Sequence, residues 1–263
     1  MVKDSGSIDV LLAGESWVTN EVHAKGFDQF VNWGYHLGAG HLVQALAGSQ
    51  FNLTYMPSHL ALRDFPLQLD ELQRYQAVIL SDIGSNTLLL HPDAYVHGKP
   101  TPNRLKLIRS YVEAGGGLIM MGGYYSFQGI NGAARYHGSP VEDVLPVKIQ
   151  PWDDRIEVPE GFAPQVAAGG VGHPILDGIA NDWPLLLGLN EVECKQGSGV
   201  ELLLEAPTDR GNRPLLVVGR YGAGRSLAWM SDIGPHWLPD TFAAWPGYSR
   251  LWRQALRWVT GAE

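Results

Sequence analysis

The chain has 263 residues, of which 45% are hydrophobic, and a formal net charge of −8. This composition supports a sizeable packed core and argues against disorder. Because the acidic chain has no basic cluster to neutralise phosphates, we expect no nucleic-acid partner. No run of about 18 apolar residues is present, and the first residues contain no apolar signal core, so we expect no membrane partner and a cytoplasmic location.

The first half of the chain alternates between strand and helix patterns. Short apolar runs predict strands at residues 8–13, 51–56, 77–80 and 118–121. Helical spacing of apolar residues predicts helices at 26–47, with a break near Gly38, and at 69–75 and 102–114. This order predicts right-handed crossovers and an α/β, flavodoxin-like fold: a mostly parallel sheet with helices on both faces.

The second half of the chain has a different sequence pattern. Prolines interrupt short β-like pieces within residues 139–199, which predicts a β-rich elaboration of the sheet edge within a single domain, 1–263. Strands are predicted at 200–204, 215–221 and 225–230, the last two as a hairpin, and an amphipathic helix at 248–259 closes the chain. Cys194, the one cysteine, lies in a strand-like pattern and is interpreted as structural.

Polar residues follow four of the predicted strands. The segment Gly122-Gly123-Tyr124-Tyr125-Ser126-Phe127-Gln128-Gly129 comes directly after residues 118–121, where open α/β sheets usually bind ligands. Glu15, Asp82 and Asp232 each follow another strand, and His236 lies four residues beyond Asp232. The carboxyl ends of parallel strands meet at one edge, so we expect these side chains to converge there.

Two motifs identify a resemblance over nearly the whole chain. They are the Gly-Gly-x-x-Ser-Phe-Gln-Gly stretch from Gly122 and the Asp-x-x-Pro-His-Trp stretch from Asp232. With them, the chain resembles the uncharacterised glutamine-amidotransferase-like family and, more distantly, the trehalose-utilisation (ThuA-like) proteins. The resemblance implies the class I glutamine amidotransferase-like fold.

The sequence departs from that family's catalytic pattern. Active class I amidotransferases carry Gly-x-Cys-x-Gly at the elbow and a later His-x-Glu pair. Here Tyr124 stands at the nucleophile position, and Trp237 and Leu238 follow His236 where the pair would require its glutamate. A phenol with a pKa near ~10 is a weak nucleophile at neutral pH, so we expect no glutaminase activity.

Two other chemistries remain open for this edge of the sheet. Ser126 could act as a nucleophile with His236 and a carboxylate such as Asp232, although a serine that satisfies backbone groups in a tight loop explains the same pattern. Glu15, Asp82 and Asp232 could hold a divalent metal, but no metal-binding spacing of histidines accompanies them. We therefore assign neither a metal nor a cofactor.

The sequence leads to one leading hypothesis and one alternative. The hypothesis is a small-molecule hydrolase or related enzyme with catalytic Tyr124, Ser126, His236 and Asp232. The expected substrate-binding residues are Glu15, Asp82, Gly123, Tyr125, Gln128, Arg135 and Trp237. The alternative is a noncatalytic ligand-binding or scaffold protein with a degenerate elbow. Nine tryptophans, several in predicted loops, favour a homo-oligomer.

Overall fold

The computed structural model describes residues 6–262. The strands are β1 (Ile8–Gly14), β2 (Ser16–Lys25), β3 (Asp28–Leu37), β4 (Phe51–Met56), β5 (Ala77–Ser81), β6 (Gly117–Met121), β7 (Val147–Ile149), β8 (Arg155–Phe162), β9 (Gln165–Val166), β10 (Leu186–Asn190), β11 (Val192–Cys194), β12 (Glu201–Thr208), β13 (Gly211–Tyr221) and β14 (Gly224–Trp229). The helices are α1 (Gly40–Leu46), α2 (Ser58–Asp64), α3 (Leu69–Leu72), α4 (Ser85–Leu89), α5 (Pro92–Tyr95), α6 (Arg104–Glu113), α7 (Pro140–Val144), α8 (Asp240–Ala243) and α9 (Pro246–Thr260).

One eight-stranded sheet organises the described part of the chain, in the order β4-β1-β5-β6-β14-β13-β12-β9. The first five of these strands are parallel, and the last three add antiparallel ladders at one edge. Ranked along the chain, the five parallel strands have the order 2-1-3-4-5 of flavodoxin-like folds. The predicted fold class is therefore confirmed, including the additional antiparallel strands.

Helices pack in two separate groups against this sheet. Helices α1 and α9 contact each other, and α9 also contacts β5, β6 and β14. A second group contains α2, α4 and α6, of which α2 contacts β1 and α6 contacts β14. Strands β5 and β6 are buried along their whole length, as expected for parallel strands that are covered on both faces.

The predicted helix at residues 26–47 is wrong. These residues contribute instead to a regular β2–β3 hairpin, and only α1, at the end of this range, is helical. Aromatic and β-branched residues favour the strand, and the apolar residues from Val31 to Leu37 alternate with polar residues or glycine. Gly26, with φ of 64°, takes the first of two turn positions, where a tight hairpin turn favours glycine.

The remaining predicted elements are confirmed, with shifted ends. The glycine triplet after α6 ends that helix as expected, and β13 and β14 form the predicted hairpin. Within residues 139–199, β7 pairs with β11, β8 pairs with β10, and β9 extends the edge of the main sheet beside β12. No helix within residues 6–262 is long and apolar enough to cross a membrane.

Candidate active site

Three acidic residues follow strands of the parallel sheet at its carboxyl edge. Glu15 directly follows β1, Asp82 directly follows β5, and Asp232 lies three residues beyond β14. Strands β1 and β5 flank the point where the strand order reverses, which is where open α/β sheets bind ligands. The structure brings these side chains into electrostatic range of one another, because Asp232 and Asp82 both raise the pKa of Glu15 and Asp82 raises that of Asp232. We call Glu15, Asp82 and Asp232 the carboxyl cluster.

Burial raises the pKa of every member of the carboxyl cluster. Burial has the largest effect on Glu15, followed by Asp232 and Asp82, and together they hold its pKa well above the ordinary value. Ser81 Oγ donates to Glu15 Oε2 at 2.6 Å and opposes this shift. The pKa of Asp232 is likewise raised well above its ordinary value by burial and by Asp82. Burial raises the pKa of Asp82 too, against the opposing effects of the Tyr125 N–H and His236. The cluster therefore retains protons at a pH where exposed carboxyl groups are ionised.

His236 lies beside the carboxyl cluster. Its Nδ1 faces Asp232 Oδ2 at 3.4 Å, and 34% of its side chain is exposed. Burial lowers the pKa of His236, and Arg155 adds to that effect, while Glu157 and Asp82 oppose it. The imidazole is therefore neutral at neutral pH, with Nδ1 turned toward Asp232 and Nε2 left for another partner.

An aromatic rim borders this histidine. The rings of Tyr124 and His236 meet edge to face with centroids 4.1 Å apart, and Trp237 stacks on His236 at 5.0 Å. Glu157 joins both rim aromatics, because Oε1 accepts from the Tyr124 hydroxyl at 3.2 Å and Oε2 accepts from Trp237 Nε1 at 2.8 Å. Arg155 lies over the Tyr124 ring, 4.8 Å from its centroid. The structure thus brings Tyr124 and His236 together, and their shared catalytic role stays a prediction.

Two residues that the sequence analysis missed hold the loop after β6. Asp154 accepts from the Gln128 and Gly129 N–H groups, each at 2.8 Å, and Asn190 Nδ2 donates to Asp154 Oδ1 at 2.9 Å. Burial raises the pKa of Asp154 to about 6, although the hydrogen bonds from these donors lower it. Asp154 and Asn190 come from the β-rich segment, and nothing in their local sequence distinguishes them from ordinary turn residues.

Ser126 is engaged in the backbone of the site. Its Oγ accepts from the Asp82 N–H at 3.1 Å, and the residue is buried. No hydrogen bond joins Ser126 to His236 within the described residues. This matches the loop-stabilising interpretation of Ser126 better than the nucleophilic one.

Tyr124 does not occupy a strained elbow either. A nucleophile elbow places its nucleophile on a strained turn, but in this loop the positive φ values belong to Gly123, Phe127 and Gly129. Positive φ also occurs at Glu15 (48°), at Asp82 (41°) and at His236 (143°). Non-glycine residues with positive φ are uncommon and concentrate at functional sites, so the strain marks Glu15, Asp82 and His236 rather than Tyr124.

The other expected substrate-binding residues have different surroundings. Tyr125 is exposed, and its N–H donates to Asp82 Oδ1 at 2.6 Å. The Gln128 amide bonds to backbone groups of Gly132 and His137 in its own loop. Arg135 is exposed, and its carbonyl accepts a hydrogen bond from Ser85 Oγ at 3.0 Å. No described contact joins Arg135 to the carboxyl cluster. Of these three, only Tyr125 is joined to that cluster.

The cysteine lies apart from the candidate site. Cys194 ends β11, in a two-stranded sheet with β7, and burial, with Glu205 second, raises the pKa of its thiol. A thiol with a raised pKa is a poor nucleophile. Among residues 6–262, no group of three or more His, Cys, Asp or Glu side chains has a metal-binding arrangement.

The sequence matches the GATase1-like family, described as "Putative glutamine amidotransferase", over residues 9–261. The chain belongs to this family. Within the functionally curated proteins, no sequence matches it. The GATase1-like assignment agrees with the resemblance carried by the Gly-Gly-x-x-Ser-Phe-Gln-Gly stretch from Gly122.

Solved structures give the same fold for this GATase1-like chain. Cytoplasmic protein STM3548 from Salmonella typhimurium is 39% identical, with a TM-score of 0.89, over 95% of this chain and 98% of that one. Cytoplasmic protein STM1381 from Salmonella typhimurium LT2 is 37% identical, with a TM-score of 0.89, over 96% and 99%. Both names agree with the cytoplasmic location expected from the sequence.

A more distant structure shares the fold alone. A ThuA-like protein from Parabacteroides merdae is 14% identical, with a TM-score of 0.58, over 98% of this chain and 91% of that one. The more distant resemblance to ThuA-like proteins is thus confirmed at the level of fold.

Proposed function

We propose that this GATase1-like protein is a cytoplasmic small-molecule hydrolase that works by general acid–base catalysis and has no cysteine-dependent glutaminase activity. The observation that carries the proposal is the convergence of the carboxyl cluster with His236 at the switch point of the sheet. The environment pushes the pKa of the carboxyl groups up and that of the imidazole down. Two groups whose pKa values are shifted in opposite directions are suited to act as the acid and the base of one site.

In this proposal His236 is the general base. Asp232 orients the ring through Nδ1, so Nε2 takes a proton from water as the water oxygen forms its bond to the electrophilic carbon of the substrate. Asp82 is the general acid, because it is the least buried member of the carboxyl cluster. Its proton goes to the leaving group as the scissile bond breaks, and solvent returns the proton from His236 to Asp82.

The site chemistry selects the charge of the substrate. Ionisation of any member of the carboxyl cluster brings negative charge to the switch point, and Glu157 adds a further carboxylate at the rim. Like charges repel an anionic substrate from such a site. We therefore propose a neutral substrate with an ester, amide or glycosidic bond, packed against Tyr124.

The test uses three neutral chromogenic substrates: p-nitrophenyl acetate, an acyl p-nitroanilide and a p-nitrophenyl glucoside. Wild-type protein should hydrolyse at least one of them with a bell-shaped pH dependence. Protonation of His236 sets the acidic limb, and ionisation of Asp82 sets the basic limb. His236→Gln and Asp82→Asn should each reduce kcat/KM by roughly 100-fold.

Matched controls are His97→Gln and Asp209→Asn, two exposed residues outside the site, and both should leave kcat/KM unchanged. Glutamine should release no ammonia with any of these proteins. Absence of hydrolysis of all three substrates by wild type, or equal losses in the controls, would overturn the proposal.

A noncatalytic ligand-binding protein is the second candidate. The engagement of Ser126 with the Asp82 backbone and of Tyr124 with Glu157 favours it, because both hydroxyls already have protein partners. This candidate requires that the three chromogenic compounds raise the melting temperature of the wild type without being hydrolysed.

A further inference from the structure

The β2–β3 hairpin has two chemically different faces. Cross-strand partners share a face, and one face carries Val18 opposite Tyr35, Asn20 opposite Trp33, and Val22 opposite Val31. With Leu37, the apolar members of this set form what we call the apolar hairpin face: Val18, Val22, Val31, Trp33, Tyr35 and Leu37. Its members are 44% to 69% exposed.

The opposite face is polar and already internally paired. Trp17 stacks on His36, which also lies 3.1 Å from Thr19 Oγ1, and His23 stacks on Phe30. Every charged side chain of the two strands is on this polar face, namely Glu21, Lys25 and Asp28. The apolar hairpin face therefore carries no charge.

Within residues 6–262, the side-chain hydrogen bonds that join the hairpin to α2 lie near its base. Ser16 bonds reciprocally with Ser58, since Ser16 Oγ accepts from the Ser58 N–H at 2.8 Å and Ser58 Oγ donates to the Ser16 carbonyl at 3.1 Å. Tyr35 adds a contact between its hydroxyl and His59 Nδ1 at 3.1 Å. Trp33, farther along the hairpin, is 69% exposed.

An uncovered hairpin of this kind is costly. An isolated two-stranded sheet is marginally stable in water, and large apolar side chains left exposed forgo the stabilisation that burial would give them. A period-two pattern that places six large apolar side chains on one face predicts that another surface packs there.

We propose that the apolar hairpin face is the dimer interface with a second copy of this chain. The face exposes roughly 600 Å² of side-chain surface, so two copies would bury about 1,200 Å², the lower bound for a specific interface. Because the face is uncharged, two chains of net charge −8 meet there without local repulsion. Two such faces pack across a two-fold axis as stacked sheets, about 10 Å apart.

Light scattering after size exclusion tests the proposal with the full chain at about 50 μM. Wild type should elute at twice the monomer mass. Trp33→Glu places a charge on the apolar hairpin face and should raise the dimer dissociation constant at least about 100-fold, as loss of an interface tryptophan does. The matched control is Asn32→Glu, which adds the same charge one residue away on the polar face and should remain a dimer.

Oxidative crosslinking provides a measurement that does not depend on weakening the hairpin. In a Cys194→Ser background, Asn20→Cys, at the centre of the apolar hairpin face, should give a disulfide-linked dimer on a nonreducing gel. Asn32→Cys should not. A monomeric wild type, a Trp33→Glu protein that stays dimeric, or equal crosslinking at positions 20 and 32 would each overturn the proposal.

Discussion

The side-chain amide of Asn190 bonds to both backbone polar groups of Gly123. Oδ1 accepts from the Gly123 N–H at 3.0 Å, and Nδ2 donates to the Gly123 carbonyl at 3.2 Å. Gly123 has φ of 138°, a conformation in which a residue with a side chain is strained, and its amide has to be satisfied within a buried turn. A side chain that ends β10 thus determines the path of the loop after β6.

Asn190→Ala should destabilise the protein by about 3 kcal/mol, because it leaves the buried N–H and carbonyl of Gly123 without these partners and removes a donor from Asp154. The free energy of unfolding in urea measures the loss. Asn52→Ala is the matched control, since Asn52 also donates to a carboxylate but is exposed, and it should change stability by about 0.5 kcal/mol or less. Equal losses in the two variants would contradict the role given to Asn190.

Arg104 is a fully buried cation whose partners are backbone carbonyls. From α6 it donates to the carbonyls of Leu62 at 2.8 Å and Arg63 at 2.9 Å, at the C-terminal end of α2. These carbonyls have no partner inside their own helix, and a positive charge suits that end of a helix. Burial lowers the pKa of Arg104, opposed by Asp64.

Arg104→Met keeps much of the apolar stem but removes the donors, so unfolding free energy should fall by about 2–4 kcal/mol. Chemical denaturation followed by circular dichroism gives the value. Arg63→Met, at an exposed arginine paired with Asp64, is the comparison and should leave the unfolding free energy nearly unchanged. A loss at Arg104 no greater than at Arg63 would show that water replaces the carbonyl contacts.

The sequence was informative where a residue's role depends on its position along a strand. Glu15, Asp82 and Asp232 were placed at one sheet edge because apolar runs ending in polar residues define strand ends. The β2–β3 hairpin is missed in the sequence analysis because its exposed apolar residues also fit a helical spacing. Gly26, in the turn, is the residue that favours the hairpin over the helix. Asp154 and Asn190 were missed because long-range bonds from a buried carboxyl or amide group leave no local pattern.

The raised pKa values of the carboxyl cluster predict how stability depends on pH. A carboxyl group whose folded-state pKa lies above its unfolded value holds its proton more tightly in the folded state. Its stabilising contribution is complete below the unfolded pKa of Asp, near ~3.8, and is lost as the pH rises through the folded pKa. The wild type should therefore be less stable at pH 8 than at pH 5 by the contribution of this cluster.

Asp232→Asn makes this prediction specific to one group. Asparagine keeps an oxygen for the Ile233 N–H, which donates to Asp232 Oδ1 at 2.8 Å, but it cannot ionise. The variant should be more stable than wild type at pH 8 by about 0.5–2 kcal/mol, and this difference should become smaller at pH 5, as measured by urea unfolding at both values.

Asp209→Asn, at an exposed residue outside the site, should leave the pH dependence of unfolding unchanged. If Asp232→Asn instead loses stability at pH 8, the Asp232 carboxylate is ionised in the fold and paired with a protonated His236. The acid and base roles proposed for this site would then require the opposite protonation states, since a protonated imidazole cannot accept the proton of water.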